Sequence, residues 1–122
     1  MSPTGRLESK RRFERKGRRA EWLAALALML KGYRIAAMRY RTPVGEIDIV
    51  ARKGDLIALV EVKARRDLIA GVDAVSYPAQ RRIAAAGALY ISRQPDSARL
   101  SWRCDIVVVS PWRWPRHLED AF

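Results

Sequence analysis

The sequence predicts a single α/β domain in which a mixed central β-sheet is flanked by helices. Three observations favour this fold class: a first segment rich in Ala and Leu, two runs of alternating and β-branched residues at 45–52 and 56–64, and an apolar run at 106–109. The order helix, three strands, helix, strand is typical of such folds. A chain of 122 residues is long enough for one domain with one modest core.

The composition combines the apolar content of a folded protein with a large excess of positive charge. Lys and Arg number 24 against 13 Asp and Glu, so the formal net charge is +11. This excess predicts binding to a polyanion, with nucleic acid first and an anionic membrane second; an incidentally basic surface is the alternative. Cys104 is the one cysteine, which excludes an intramolecular disulfide and a multi-cysteine zinc site. Its neighbours predict a buried strand thiol.

Residues 1–17 are predicted to form a basic, flexible arm that precedes the α/β domain of residues 18–122. An arm so rich in arginine and lysine cannot bury a core, and it suits contacts with phosphates. The apolar run at 22–30 follows it as in a signal peptide, but Glu21 opens the run and Lys31 closes it. The run is also too short to cross a bilayer. We therefore expect a cytoplasmic protein without a membrane partner.

The first helix is predicted over residues 18–31, with Gly32 directly after its end. Glu21 lies in its first turns, where a carboxylate complements the helix dipole. The first strand is predicted over residues 33–41, and Thr42 and Pro43 interrupt it.

The two alternating runs that follow predict a β-hairpin, and the length of its loop decides which side chains meet. A two-residue loop at 53–54 pairs Glu46 with Glu61. A two-residue loop at 54–55 pairs Asp48 with Glu61 instead. Either loop places the carboxylates on one face, whereas a three-residue loop would split them.

Both two-residue loops also bring Lys63 to the face of the carboxylates, and this clustering predicts a metal site. Opposed like charges destabilise a strand pair, and the apolar neighbours predict a central hairpin rather than a solvated edge. Mg²⁺ or Mn²⁺ would relieve the repulsion, because Mg²⁺ takes hard oxygen ligands. Lys63 would then orient a water or neutralise a phosphate. The alternative is a solvent face on which Glu61 and Lys63 form a weak exposed ion pair.

The remaining residues predict a loop at 67–77, a second helix from Pro78 to about residue 93, and a last strand at 102–109. In this last strand, Asp105 is predicted to be structural. The Trp- and Pro-rich tail is predicted to pack across the end of the sheet, and its one histidine, His117, is assigned no role because a lone tail histidine is typical of a capping or surface group.

The two hairpin strands also carry a resemblance. Residues 45–50, GEIDIV, and residues 60–65, VEVKAR, resemble the YraN-like family of small uncharacterised bacterial proteins. That family looks like a compact branch of the PD-(D/E)XK endonuclease superfamily, related to archaeal-type Holliday junction resolvases. The resemblance covers about residues 17–122 and implies a restriction-endonuclease-like fold. The superfamily's proline before the aspartate is replaced here by Ile47.

By this resemblance, Asp48 and Glu61 would be metal ligands and Lys63 the catalytic lysine. Glu21 matches a helix glutamate that often completes the metal site, and it is included with the catalytic and metal-binding residues; Glu46 is a secondary candidate. Related nucleases often place a glutamine or lysine on the second helix to contact substrate. The substrate-binding candidates are Arg65, Gln80, Arg81 and Arg82.

The leading hypothesis is therefore a Mg²⁺- or Mn²⁺-dependent nuclease that acts on DNA rather than RNA, with branched DNA as a candidate substrate and a homodimer as a candidate assembly. The metal would activate a water, and Lys63 would stabilise charge on the phosphate. The first alternative is a non-catalytic nucleic-acid-binding module built on a nuclease-like fold. The second is a basic protein associated with the ribosome or RNA.

Overall fold

A five-stranded mixed sheet forms the centre of the computed structural model, which describes the backbone of residues 3–122 and the side chains of residues 17–122. Three α-helices surround the sheet in this part of the chain. The elements are α1 (Pro3–Leu30), β1 (Arg34–Thr42), β2 (Gly45–Lys53), β3 (Leu56–Ala64), α2 (Leu68–Asp73), α3 (Tyr77–Ser92), β4 (Ser101–Val109) and β5 (Arg116–Leu118), with a 3-10 turn at Ser97–Arg99. The single α/β domain with a mixed sheet is as predicted.

The strands lie side by side in chain order, β1-β2-β3-β4-β5. Neighbouring strands are antiparallel except for β3 and β4, which are parallel and are connected through α2 and α3. Lys53 pairs with Leu56, so the hairpin loop is the two-residue Gly54-Asp55, and Gly54 adopts the positive φ of +62° that such a turn requires. Of the two loops considered, the one that sets Asp48 against Glu61 is therefore formed.

Each face of the sheet carries its own hydrophobic core. Alternate residues of β2, β3 and β4 point to opposite faces, and the strands are apolar on both, as expected for a covered sheet. One core lies under α1 and includes Ala24, Leu28, Ile49, Val60 and Val107. The other lies under α3 and includes Val50, Leu59, Ile83, Ala86 and Ile106.

Helix α1 is longer than predicted. It begins at Pro3 and not near residue 18, so the backbone of residues 3–17 is helical, and its end is followed by Gly32 with φ of +95°. Arg, Lys, Glu and Leu have high intrinsic helix propensity and need no buried face to continue a helix. The side chains of residues 1–16, and with them any phosphate contacts of the predicted arm, lie outside the described residues. Among residues 3–122, no helix is both long and apolar enough to span a membrane.

The segment predicted as a loop at 67–77 contains a helix, α2. Asp67 caps it, because its carboxylate accepts a hydrogen bond of 2.8 Å from the Ala70 N–H. Six residues are too few for a helical period to be visible in sequence, which is why the prediction was wrong.

Helix α3 agrees with its prediction to within about one residue at each end. Ser76 caps it and Pro78 lies in its first turn. Gly87 is buried against the Leu59 side chain, and a Cβ at this position would clash with it. The absence of a side chain therefore lets α3 pack closely on the sheet.

The tail adds a strand that the sequence did not predict, since β5 pairs antiparallel with β4. It also brings His117 to Asp105, which is fully buried, at 2.7 Å between Nε2 and Oδ2. Asp105 accepts further hydrogen bonds from Arg103 Nε, at 2.9 and 3.1 Å, and from the Asp120 N–H at 2.9 Å. The structural role predicted for Asp105 is consistent with these contacts. No role was predicted for His117, whose side chain is buried and hydrogen-bonded to Asp105 and is therefore not a surface group.

Candidate active site

The carboxyl groups of Asp48 and Glu61 meet on the central hairpin. The paired residues of β2 and β3 end at Ile49 and Val60, so Asp48 and Glu61 are the next residues beyond the paired region on the two strands. Both side chains are half-buried, and the two carboxyl groups lie within hydrogen-bonding contact. The Val62 N–H donates a hydrogen bond of 2.8 Å to Asp48 Oδ2 and so fixes the orientation of this carboxylate.

This contact changes the protonation of Glu61. Burial, the hydrogen bond with Asp48 and the negative charge of Asp48 together raise the pKa of Glu61 to about 9, against the opposing effects of Lys63 and the Val62 N–H. At neutral pH the pair therefore holds one shared proton. A divalent cation is a chemical fit for the same position, because the donor set consists of hard carboxylate oxygens.

Lys63 completes the cluster. It lies two residues after Glu61 on β3, so the two side chains leave the strand on the same face. Its positive charge acts on Glu61 and opposes the rise in the pKa of that carboxyl. Asp48, Glu61 and Lys63 are all half-buried, which differs from the alternative of an exposed ion pair on a solvent face.

Glu21 occupies a different position from the one predicted by resemblance. Its carboxylate accepts a hydrogen bond of 2.7 Å from Arg39 Nε, and this ion pair is partly buried. Within residues 17–122, no group of three or more His, Cys, Asp or Glu side chains is arranged to hold a metal ion. The structure therefore brings Asp48 and Glu61 together as a pair and leaves Glu21 outside it.

Arg39 is the site residue that the sequence did not reveal. The hydrogen bond with Glu21 raises the pKa of Arg39, and the negative charges of Glu21, Asp48 and Glu46 add to this effect although partial burial opposes it. Arg39 thus interacts electrostatically with both Glu21 and Asp48. Its backbone lies at φ of +51°, which is rare for a residue with a long side chain. Such a conformation has no signature in a strand sequence.

The substrate-binding candidates lie on the surrounding elements. Arg65 is half-buried directly after β3, and Arg81 and Arg82 are exposed in the first turns of α3. The Arg82 backbone packs against Gly45, so these arginines lie beside the strand that carries Asp48. The Gln80 amide instead donates to the Val75 carbonyl oxygen at 3.2 Å, within the protein. Glu46, the secondary candidate, is exposed and 3.6 Å from Arg41 in a surface ion pair.

The shared proton leads to an expected dependence of stability on pH. The folded state holds a proton on Glu61 up to about pH 9, while the unfolded state releases it near pH 4.5. The folded state thus binds more protons between these values, and the free energy of unfolding falls as pH rises, by at most about 1.4 kcal/mol per pH unit. Urea denaturation of the parent and of Glu61→Gln from pH 5 to pH 9 measures this dependence of the free energy of unfolding on pH.

Glu61→Gln is expected to remove this decrease in stability, and the control Asp55→Asn, which removes a carboxylate from the hairpin loop, is expected to retain it. Asp55 is exposed and lies beside Arg52 in a surface pair. A parent protein and a Glu61→Gln variant with the same pH dependence would contradict the shared proton. Added Mg²⁺ should raise the stability of the parent more at pH 8 than at pH 6, because a cation competes with the proton.

Comparison with known proteins identifies the family. The uncharacterised protein family UPF0102 matches residues 20–109, which include every candidate residue named above. The chain is 61% identical over 114 residues to the UPF0102 protein of Chelativorans sp. strain BNC1, covering 93% of this chain and 92% of that protein. It is 66% identical over 108 residues to that of Sinorhizobium medicae and 67% identical over 108 residues to that of Rhizobium meliloti, covering 88% of each chain. The chain therefore belongs to the YraN-like family UPF0102.

Proposed function

We propose that the protein is a metal-dependent nuclease that hydrolyses phosphodiester bonds in DNA. The observation that carries this proposal is the contact between the carboxyl groups of Asp48 and Glu61 beside Lys63. Two half-buried carboxyl groups in contact are unfavourable for the fold, because one of them must keep a proton far above its usual pKa. Perturbed ionisable groups of this kind are typical of catalytic sites.

The chemistry follows from the three side chains. When bound, Mg²⁺ or Mn²⁺ lowers the pKa of a coordinated water and offsets negative charge on the phosphate. Asp48 and Glu61 would hold the cation, and Glu61 would release its proton on binding. Lys63 would donate hydrogen bonds from its ammonium group to the attacking water or to a non-bridging phosphate oxygen. Two carboxylates are sufficient, because Mg²⁺ sites at phosphates commonly use one or two.

The surrounding charge supports a nucleic acid as the substrate. The formal net charge is +11, and the arginines beside the hairpin are able to bind phosphates in a bidentate manner. Arg65, Arg81 and Arg82 would hold the backbone of the substrate. Arg39, held by Glu21, would add positive charge close to Asp48. The resemblance to the PD-(D/E)XK superfamily favours DNA over RNA, and a homodimer would allow two strands to be cut.

A second candidate function is a nucleic-acid-binding module without catalysis. The observation that favours it is the ion pair between Glu21 and Arg39, which leaves Asp48 and Glu61 as the carboxylates for a metal among the side chains of residues 17–122. Under this alternative the basic surface would bind nucleic acid, and the Asp48–Glu61 pair would keep its proton.

A cleavage assay separates the two functions. Labelled linear, single-stranded and four-way-junction DNAs are incubated with the protein in Mg²⁺, in Mn²⁺ and in chelator. The parent and the control Asp55→Asn should cut with metal and not with chelator. Asp48→Asn should still bind DNA in chelator but cut at least about 100-fold more slowly, because it lacks one of two ligand carboxylates. Salt-sensitive binding without cutting by the parent in either metal would favour the binding module.

A further inference from the structure

An open groove of about 980 Å³ lies at the carboxyl ends of β3 and β4, outside the Asp48–Glu61 pair. Its walls come from α1, from the residues after β3, and from the loop at 110–115 after β4. This volume is at the upper end of the range of ligand sites, about 300–1,000 Å³. Of the described residues that line it, all the charged ones are arginines: Arg19, Arg65, Arg66 and Arg113.

The groove also presents two tryptophans to solvent. The exposed fraction is 103% for Trp112 and 57% for Trp114, so both indole rings are accessible to a ligand. The Trp112 backbone has a φ of +62°, which is a strained conformation for a bulky residue. Strained backbone of this kind clusters at ligand-binding and catalytic sites. The loop therefore displays Trp112 at a cost to the fold.

We propose that this groove binds an unpaired strand of DNA, with bases stacked on Trp112 and Trp114 and phosphates held by the arginines. Exposed aromatic rings along a positively charged groove are the features that bind single strands without sequence preference. A protein partner with an apolar surface would leave the arginines without counter-charges, whereas a polyanion supplies them. The choice of DNA over RNA follows from the proposed function, since the guanidinium groups of the lining could also donate hydrogen bonds to a ribose 2′-OH.

The link between this groove and DNA cleavage rests on the proposed function, whereas the binding of a single strand does not. Arg65 lines the groove and lies two residues after Lys63, about 7 Å along the chain. A single strand in the groove would therefore continue toward the proposed catalytic lysine. The substrate class would be DNA with an unpaired segment, such as a branch or flap.

The test is binding without cleavage. Fluorescence anisotropy measures the affinity for a dT 12-mer, an abasic 12-mer and a 12-base-pair duplex in chelator. The double variant Trp112→Ala/Trp114→Ala should bind the dT 12-mer about 10- to 100-fold more weakly than the parent, because base stacking is lost. Its affinity for the duplex and for the abasic strand should change less than about twofold. The control Trp22→Ala removes a tryptophan that is 67% exposed on α1, outside the groove, and should bind like the parent.

Equal affinity of the parent and the double variant for the dT 12-mer would overturn the proposal. An equal loss for the duplex and the abasic strand would do the same, because stacking would then not be the cause. Tighter binding of an rU 12-mer than of the dT 12-mer would overturn the assignment to DNA. The variant Trp112→Asn also tests stacking with the backbone strain relieved, since asparagine tolerates a positive φ, and it should lose affinity while melting no lower than the parent.

The same assay with Asp48→Asn separates this inference from the nuclease. Retained single-strand binding by Asp48→Asn, together with a loss of that binding in the tryptophan double variant, would support the groove even if the parent cuts no DNA. Metal-dependent cutting by a parent whose single-strand affinity does not depend on the two tryptophans would support the nuclease and overturn the groove.

Discussion

Replacement of Asp105 by alanine is expected to lower the free energy of unfolding by about 3–5 kcal/mol, a large fraction of the stability of a small domain. Asp105 is fully buried and accepts hydrogen bonds from Arg103, His117 and the Asp120 N–H. The alanine variant would leave the largely buried Arg103 guanidinium without its main counter-charge. Urea denaturation at pH 7 measures the loss, and Asp55→Ala, which removes an exposed aspartate, is the matched control.

Because of the Asp105 carboxylate, the domain is also expected to lose stability in acid. Burial acts to raise the pKa of Asp105, but the hydrogen bonds from His117, Arg103 and the Asp120 N–H outweigh it, so the pKa is lowered from 3.8. A lowered pKa in the folded state gives stability that is present above the unfolded pKa and is lost as pH falls below it. If the free energy of unfolding of Asp105→Ala lies within about 1 kcal/mol of the parent value, this account is contradicted.

Replacement of Lys63 by methionine is expected to reduce the single-turnover cleavage rate of the proposed nuclease by at least about 100-fold. Methionine keeps most of the length of the side chain but removes the ammonium group that would face the water or phosphate. DNA binding should change little, because one positive charge is lost from a net charge of +11. Single-turnover rates with saturating protein separate the chemical step from binding.

The matched control is Arg41→Met, which removes one cation from the neighbouring strand β1. Arg41 is exposed and lies 3.6 Å from Glu46 in a surface ion pair. Its replacement lowers the net charge by the same amount as Lys63→Met, but at a position away from the carboxylate pair. A Lys63→Met protein that cuts within about threefold of the parent, in the same assay that detects the loss in Asp48→Asn, would remove Lys63 from the mechanism. Equal losses in Lys63→Met and Arg41→Met would point to general electrostatics instead.

The hairpin and its cluster of Asp48, Glu61 and Lys63 could be predicted because they depend on patterns among residues that are close together in the chain. Alternation with a period of two places side chains on one face, and a glycine in the loop favours the two registers with a two-residue loop. The Lys53–Leu56 pair selects the choice that joins Asp48 with Glu61. Helix α3 was predictable for the same reason, since its first turn carries Pro78.

The remaining features depend on contacts between residues far apart in the chain. Strand β5 has three residues, which is too short for a periodic pattern, and it forms because β4 offers an open edge. The partner of Glu21 depends on the unusual backbone of Arg39, and the burial of His117 depends on Asp105. A single sequence gives no information on such pairs, so the metal role of Glu21 was inferred from resemblance alone.

The position of these last contacts has a consequence for biosynthesis. The ribosome completes β4 before it makes His117 and Asp120, so a nascent chain that ends near residue 110 contains Asp105 without two of its partners. The Ala121 N–H, which donates to the Cys104 carbonyl oxygen at 2.7 Å, is also still missing. The β-hairpin can form early, but the sheet reaches its final state only when residues 116–121 have left the exit tunnel. We therefore expect the domain to finish folding after translation of this segment, not during it.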